Sequence, residues 1–224
     1  MTHRVHPYIF RIGGLTTWKS RWFQQNRFQE YLREDTMLRH WLERKLRTAH
    51  LKTVEIERFS NSLHIIIRTA RPGIVIGRGG EGTAKLKQEI ERFLVRIARK
   101  KVVQQKKPEI KLTVEEVRSP ETHAAIAAEM IVEDIEKRMP FRRALKTALD
   151  KIAQGREVEG VKIAMKGRLD GAEMARYEWG KRGRIPLQTI RADVDYSEKT
   201  AYTAYGTIGI KVWIYKGEVF EKSK

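Results

Sequence analysis

The chain has 224 residues, with 46 Lys and Arg against 28 Asp and Glu, so its net charge of +18 makes a polyanionic partner the leading inference. Apolar residues make up 41%, enough to build real cores in one large or two small domains. The absence of cysteine excludes disulfides, thiolate zinc sites and cysteine nucleophiles and fits a reducing cytosolic compartment, while no apolar run approaches a membrane span and the first residues lack a signal peptide's apolar core.

The charge is unevenly spread. Residues 1–118 hold 26 basic and 12 acidic residues, a net of +14, whereas residues 119–224 hold 20 and 16, a net of +4. The first half is therefore the one expected to meet phosphate.

Residues 1–22 interleave Arg4, Arg11, Lys19 and Arg21 with Tyr8, Phe10, Trp18 and Trp22 around Gly13-Gly14, without a sustained period. The pattern predicts a basic N-terminal arm suited to stacking on bases and pairing with phosphates. The alternative is that its aromatics fold back on the first domain. Helical spacing follows over 27–46, through Phe28, Tyr31, Leu32, Leu38, Trp41, Leu42 and Leu46, with Asp35 placed to cap a second part of that helix. The runs 51–59 and 63–69, separated by Ser60-Asn61-Ser62, predict a β-hairpin.

The segment Ile74-Val75-Ile76-Gly77-Arg78-Gly79-Gly80 comes next and fits two glycine patterns. As I-G-x-x-G leading into a helix, it is the backbone clamp of a KH domain, which grips about four nucleotides. As Gly77-x-Gly79-x-x-Gly82, it is a dinucleotide fingerprint, which requires a strand directly before it and an acidic residue about 20 positions on. Arg71-Pro72-Gly73 interrupts the strand, and the stretch 99–107 around the ribose position carries no carboxylate. No Gly-Lys-Ser/Thr follows, so a P-loop is also out. The clamp, formed by Ile76, Gly77, Arg78, Gly79 and Gly80, is the favoured reading, with a plain structural turn beside it.

A helix over about 80–99, with Leu86, Ile90, Phe93, Leu94 and Ile97 on one face, and a strand over 110–117 complete the series helix, strand, strand, glycine turn, helix, strand. That order is the type II KH fold. Ser119-Pro120 marks a boundary. Helices over 121–138 and 141–154, then strands over 158–165, 187–196 and 200–215, predict a second domain with two helices packed on a small sheet. The fold class is thus α+β: an arm over 1–22, a type II KH domain over 23–118 and an α+β domain over 119–224.

On the helix from Phe141, the apolar set Phe141, Ala144, Leu145, Ala148, Leu149 and Ile152 leaves Arg142, Arg143 and Lys146 together on the open side. From spacing alone the commoner reading of such a cluster is a solvated helix face. Gly180, Lys181, Arg182, Gly183 and Arg184 predict a basic surface loop that lies along RNA or stays solvated. Further basic candidates for RNA contact are Arg4, Arg11, Lys100, Lys101, Lys106, Lys107 and Arg168. Asp193 and Asp195 share a strand face and could form a metal or acid/base pair, although Arg191 offers ordinary charge pairing. The six histidines show no metal-binding spacing and there is no nucleophile elbow, so no catalytic residue, metal or cofactor is expected.

Several stretches in order resemble one family. They are Val5-His6-Pro7, Thr69-Ala70-Arg71-Pro72-Gly73-Ile74-Val75-Ile76-Gly77, Phe141-Arg142-Arg143-Ala144-Leu145-Lys146, Gly167-Arg168-Leu169 with Gly171-Ala172-Glu173-Met174-Ala175-Arg176, and Leu187 through Arg191-Ala192-Asp193 to Gly209-Ile210-Lys211-Val212-Trp213-Ile214. Across nearly its whole length the chain resembles the bacterial-type small-subunit ribosomal proteins number three. The resemblance implies a structural RNA-binding protein of the small-subunit head, cytoplasmic within the ribosome and not an enzyme. Its implied partners are small-subunit ribosomal RNA, messenger RNA and neighbouring ribosomal proteins, numbers ten and fourteen in the head and four and five beside the messenger channel, with no membrane. It also implies that Arg142, Arg143 and Lys146 line the channel through which messenger RNA enters and help open base-paired messenger. The chain departs from the family in the middle of the clamp, where Arg78-Gly79 stands in place of the two basic residues common there, one side-chain contact to phosphate fewer. Alternatives from other classes are a nucleic-acid-processing enzyme, a nuclease or lyase using Asp193, Asp195 and a lysine, and a free regulatory KH protein.

Overall fold

The computed structural model describes residues 5–59, 61–98 and 109–220. The chain forms two compact units, residues 18–118 and residues 119–220 together with 5–17. The first helical turn, α1 (Pro7–Phe10), belongs to the second unit.

In the first unit, β1 (Ser20–Arg21) runs parallel to β2 (Leu51–Arg58), which pairs antiparallel with β3 (Ser62–Thr69). Ser60, in the expected hairpin turn, lies outside the described residues. Period-2 alternation in β3 buries Leu63, Ile65, Ile67 and Thr69 while His64 and Arg68 stay part-exposed. Helix α2 (Phe28–Lys45) buries Leu38 and Leu42, and α4 (Glu81–Ala98) buries Leu86 and Ile90, against the same sheet. The two helices are joined by Trp41 stacked on Phe93, with centroids 5.2 Å apart, and by an ion pair between Lys45 and Glu89. Between β3 and α4 lies a five-residue helix, α3 (Pro72–Ile76), and after α4 the strand β4 (Glu109–Glu116) pairs parallel with β3. The series α2, β2, β3, α3, α4, β4 is the type II KH order.

Asp35 corrects one expectation. Helix α2 is continuous, and Asp35 sits inside it at 1% exposure instead of capping a second part. Its carboxylate accepts bonds from Arg58 Nη2 at 2.6 Å and Trp22 Nε1 at 2.8 Å, and the Arg58 guanidinium lies 4.5 Å from the Tyr31 ring centroid. A buried carboxylate held by a guanidinium and an indole N–H is stable mid-helix.

The second unit packs α5 (Ala124–Glu136) and α6 (Phe141–Ala153) on one face of an antiparallel sheet. Its strands are β5 (Gly160–Gly167), β6 (Arg176–Gly183), β7 (Ala192–Thr203) and β8 (Gly206–Glu218), in the order β6-β5-β8-β7. Val161, Ile163 and Met165 of β5 meet Ile131, Ile135, Ala144 and Ile152 of the helices in the main core. The half-buried Asp195 fixes the start of α5 by accepting a bond from the Ala124 N–H at 2.9 Å.

The edge of the second unit's sheet and the N-terminal segment also differ from the sequence-based expectations. The stretch around Gly180, expected as a loop, is the edge strand β6. Gly180 is there because α6 packs so closely that a Cβ would lie 2.7 Å from methyls of Leu145 and Leu149, and the cations are what an edge strand tolerates. The first 22 residues do not remain together as an arm. Ser20–Arg21 joins the first unit's sheet, whereas residues 5–17 pack on the second unit, where His6 meets the Tyr196 ring edge-on at 4.6 Å.

Candidate RNA-binding surfaces

The five clamp residues come together in one turn. Pro72 starts α3 without needing an N–H partner, and Val75 anchors that short helix in the core while Ile74 and Ile76 face outward. Gly77 then takes φ +69°, a region open to glycine, and a Cβ on it would sit 3.0 Å from the Gly82 backbone nitrogen. The reverse contact is tighter, since a Cβ on Gly82 would come within 2.6 Å of the Val75 carbonyl oxygen and 2.8 Å of that of Ile76. Gly82, in the first turn of α4, is thus the residue that lets the two helix ends close on each other. In the sequence Gly82 stands out only as the third glycine of the dinucleotide pattern.

Gly79 and Gly80 also have positive φ, but open space surrounds them, so the outer rim of the turn is bare backbone. Arg78 is exposed between them and Ile76, with no ion-pair partner among the described residues. Thr83 Oγ1 donates to the Gly80 carbonyl at 2.8 Å, and Glu81, at the start of α4, is engaged by Lys85 at 2.8 Å. An anion at this turn would meet backbone N–H groups and one guanidinium, with the nearest carboxylate already paired.

Helix α6 has the face predicted for it. Phe141, Ala144 and Ile152 are buried, Leu145, Ala148 and Leu149 pack on the core, and Arg142, Arg143 and Lys146 are exposed. The helix is held at its start by Asp170, whose Oδ1 accepts a bond from the Phe141 N–H at 3.2 Å and whose backbone takes φ +52° to reach it. Arg142 lies 5.6 Å from the Phe141 ring centroid, and none of the three cations has a carboxylate partner among the described residues. Asp150, one turn beyond Lys146, is taken by Arg182 at 2.7 Å.

The remaining candidates separate. Arg11, expected as an RNA contact, is buried at 2% exposure. Its Nε donates to the Ala192 carbonyl at 2.6 Å, Nη1 to that of Pro7 at 2.9 Å, and Nη2 to those of Thr189 and Leu187 at 3.0 and 3.1 Å. Burial pushes its pKa below the ordinary arginine value, with the nearby Asp193 charge opposing that shift. Arg11 is therefore a latch between the N-terminal segment and residues 186–192, not a free cation. Arg168 is exposed but donates to the carbonyls of Ala172 at 2.9 Å and Tyr205 at 3.1 Å, tying its turn to the tip of the β7–β8 hairpin. Lys181 and Arg184 are exposed, whereas Arg182 points to the helix side and meets Asp150. Arg4, Lys100, Lys101, Lys106 and Lys107 lie outside the described residues.

The two aspartates do different things. Asp193 sits near Arg11, while Asp195 caps α5 and lies 3.7 Å from His123. Burial raises the Asp195 pKa most strongly of any single influence, but the bonds from His123 and the Ala124 N–H, with Lys216 nearby, together hold it below the usual carboxylate value. Arg191 pairs with Glu218 at 3.2 Å instead of either aspartate. Among the described residues no group of three or more His, Asp or Glu is placed to hold a metal ion, and no helix is long and apolar enough to cross a membrane.

Comparison with known proteins gives two matches in series. Residues 37–122 match the KH domain, and residues 131–214 match the family described as ribosomal protein S3, C-terminal domain. Over the full length the chain is 44% identical to a protein of Myxococcus xanthus across 219 residues, 98% of this chain and 94% of the relative. It is 44% identical to one of Koribacter versatilis across 224 residues, 100% and 95% of the two chains, and 45% identical to one of Lawsonia intracellularis across 222 residues, 99% and 98%. All three relatives bear the name small ribosomal subunit protein uS3. A KH unit built round a glycine clamp, a second unit matching the S3 C-terminal domain and this end-to-end similarity lead to one conclusion: the chain belongs to the uS3 family of small ribosomal subunit proteins.

Proposed function

We propose that this chain is a structural component of the small-subunit head that binds small-subunit ribosomal RNA and, through Arg142, Arg143 and Lys146, lines the channel through which messenger RNA enters. The observation that carries the channel reading is the α6 patch, three exposed cations on a helix anchored by a buried face, with no carboxylate partner among the described residues. Fixed, uncompensated positive charge is what a surface needs to hold phosphates of a passing strand. Unwinding at such a surface is passive: the cations hold strands that the ribosome's own movement separates. The family is one of structural ribosomal proteins and not of enzymes, which removes the nuclease or lyase alternative. The clamp at Gly77 to Gly80 adds a second RNA contact in this reading, and neighbours numbers ten and fourteen in the head and four and five beside the channel complete the setting.

Co-sedimentation tests the assembly half of this proposal. Tagged protein should travel with small subunits through a high-salt gradient, and recovery only in the unbound fraction would refute it. The free protein should bind RNA with an affinity that falls about a thousand-fold between roughly 50 and 200 mM salt if it neutralises about six phosphates.

A further inference from the structure

We propose that the open face of the second unit's sheet, at its β6 edge, binds single-stranded RNA by stacking unpaired bases on Tyr177 and Trp179 while surrounding lysines hold the backbone. The proposal rests on the reading of the chain as an RNA-binding protein but concerns a surface separate from both the clamp and α6.

The geometry follows from strand alternation. Gly180 faces the helices, against Leu145 and Leu149, so Tyr177, Trp179 and Lys181 point to the opposite face. Register sets Tyr177 beside Lys166, Trp179 beside Ala164 and Lys181 beside Lys162; one strand further on, Gly209, Lys211 and Trp213 stand opposite Lys166, Ala164 and Lys162. Toward β7 this face is filled by Tyr196, Trp213 and Tyr215 with Ile185 and Leu187. Toward β6 it is bare: Tyr177 is 51% exposed and Trp179 is 50% exposed. The neighbouring positions are small, with Gly209 beside Lys166 and the buried Ala164 beside Trp179. Lys162 Nζ lies 5.1 Å from the Trp179 ring centroid and 5.3 Å from that of Trp213, bracing the indole.

Charge and spacing name the occupant. Lys162, Lys166, Lys181 and Lys211 share this face, and Lys211 approaches the Glu198 carboxylate at 3.4 Å. A protein-binding patch built on aromatics is normally depleted in lysine, whereas aromatics interleaved with cations suit nucleic acid. The two rings stand at i and i+2, about 7 Å apart along the strand, twice the rise of about 3.4 Å per base along a stacked strand. Neighbouring bases can each use a ring only when splayed from one another, which selects single-stranded RNA over duplex.

The test uses the full chain, an unstructured labelled RNA of about eight nucleotides and a duplex RNA of matched charge. Tyr177→Ala with Trp179→Ala should weaken the single strand about 30-fold or more, since each base–aromatic stack is worth about ten-fold, and leave duplex affinity within about two-fold. Trp179→Phe keeps a ring, so it should bind within about three-fold of the unmodified protein yet lose most of the RNA-induced quenching of tryptophan fluorescence. Equal losses on both RNAs, no loss on either, or quenching unchanged in Trp179→Phe would overturn the proposal, as would a double variant that binds both RNAs normally but fails to join neighbouring ribosomal proteins. If the double variant proves unfolded by circular dichroism, the quenching comparison alone decides. Unmodified protein that binds neither RNA would defeat the RNA-binding reading itself; normal binding lost by no variant would defeat only this surface.

Discussion

Arg11 offers the sharpest separation of a structural cation from a functional one. Replacing it with alanine strips the donors from four close backbone carbonyls, those of Ala192, Pro7, Thr189 and Leu187. Each buried acceptor left without a partner costs about 1–3 kcal/mol, and water entering the vacated space recovers part of that over the four. We therefore expect Arg11→Ala to destabilise the second unit by about 3–5 kcal/mol, and Arg11→Lys by less because one ammonium can still serve some of the carbonyls. Hydrogen exchange followed by mass spectrometry reports this by region in the full chain. Peptides covering 5–17 and 185–196 should lose protection, while those of β2 and β3 in the first unit keep theirs. Under conditions where the variant stays folded, the salt dependence of RNA binding should be unchanged. Full protection with a shallower salt slope would refute the latch and return Arg11 to the RNA-contacting set.

The glycine turn should respond unevenly to alanine. Gly82→Ala forces a Cβ against the Val75 and Ile76 carbonyls and should cost about 2–3 kcal/mol in urea unfolding, whereas Gly79→Ala meets open space and should cost about 1 kcal/mol for its positive φ alone; equal costs would contradict the close approach of the two helix ends. Asp195, whose folded pKa is held below its ordinary value of 3.8, binds fewer protons folded than unfolded in acid, so its stabilisation is complete above about pH 4 and is lost as pH falls through the folded pKa. Asp195→Asn keeps an acceptor for the Ala124 N–H but cannot titrate, and should flatten the acid limb of a stability-against-pH curve; an unchanged limb would assign that loss to other carboxylates.

What could be read in advance was what local period and turn chemistry encode. Leu63, Ile65 and Ile67 alternate, Leu86, Ile90 and Phe93 recur at helical spacing, and the KH order followed from them without any tertiary information. Helix α3 was missed because five residues carry no period and Pro72-Gly73 reads as a break, although proline at a first helical position is favourable. Strand β6 was missed because Gly180, Lys181, Arg182 and Gly183 have loop composition. Only the packing of α6 explains Gly180, and only the sheet's edge tolerates the charges. Gly82 and Arg11 were illegible for one shared reason. Each is decided by a tertiary contact, with the end of α3 in one case and residues 186–192 in the other. The α6 patch was legible because both its buried and exposed faces are written in a single helix.

In the proposed function Arg142, Arg143 and Lys146 act on incoming messenger. All three are exposed and none supports the core, so changing them together to alanine should cost little stability, as surface substitutions usually stay within about 0.5 kcal/mol each, and the variant should still enter small subunits. The deciding measurement is the elongation rate of single ribosomes carrying the triple variant on matched hairpin and unstructured templates. Selective slowing on the hairpin template is expected, with near-normal reading of the unstructured one. Equal slowing on both, or none on either, would contradict it and leave the patch a solvated helix face.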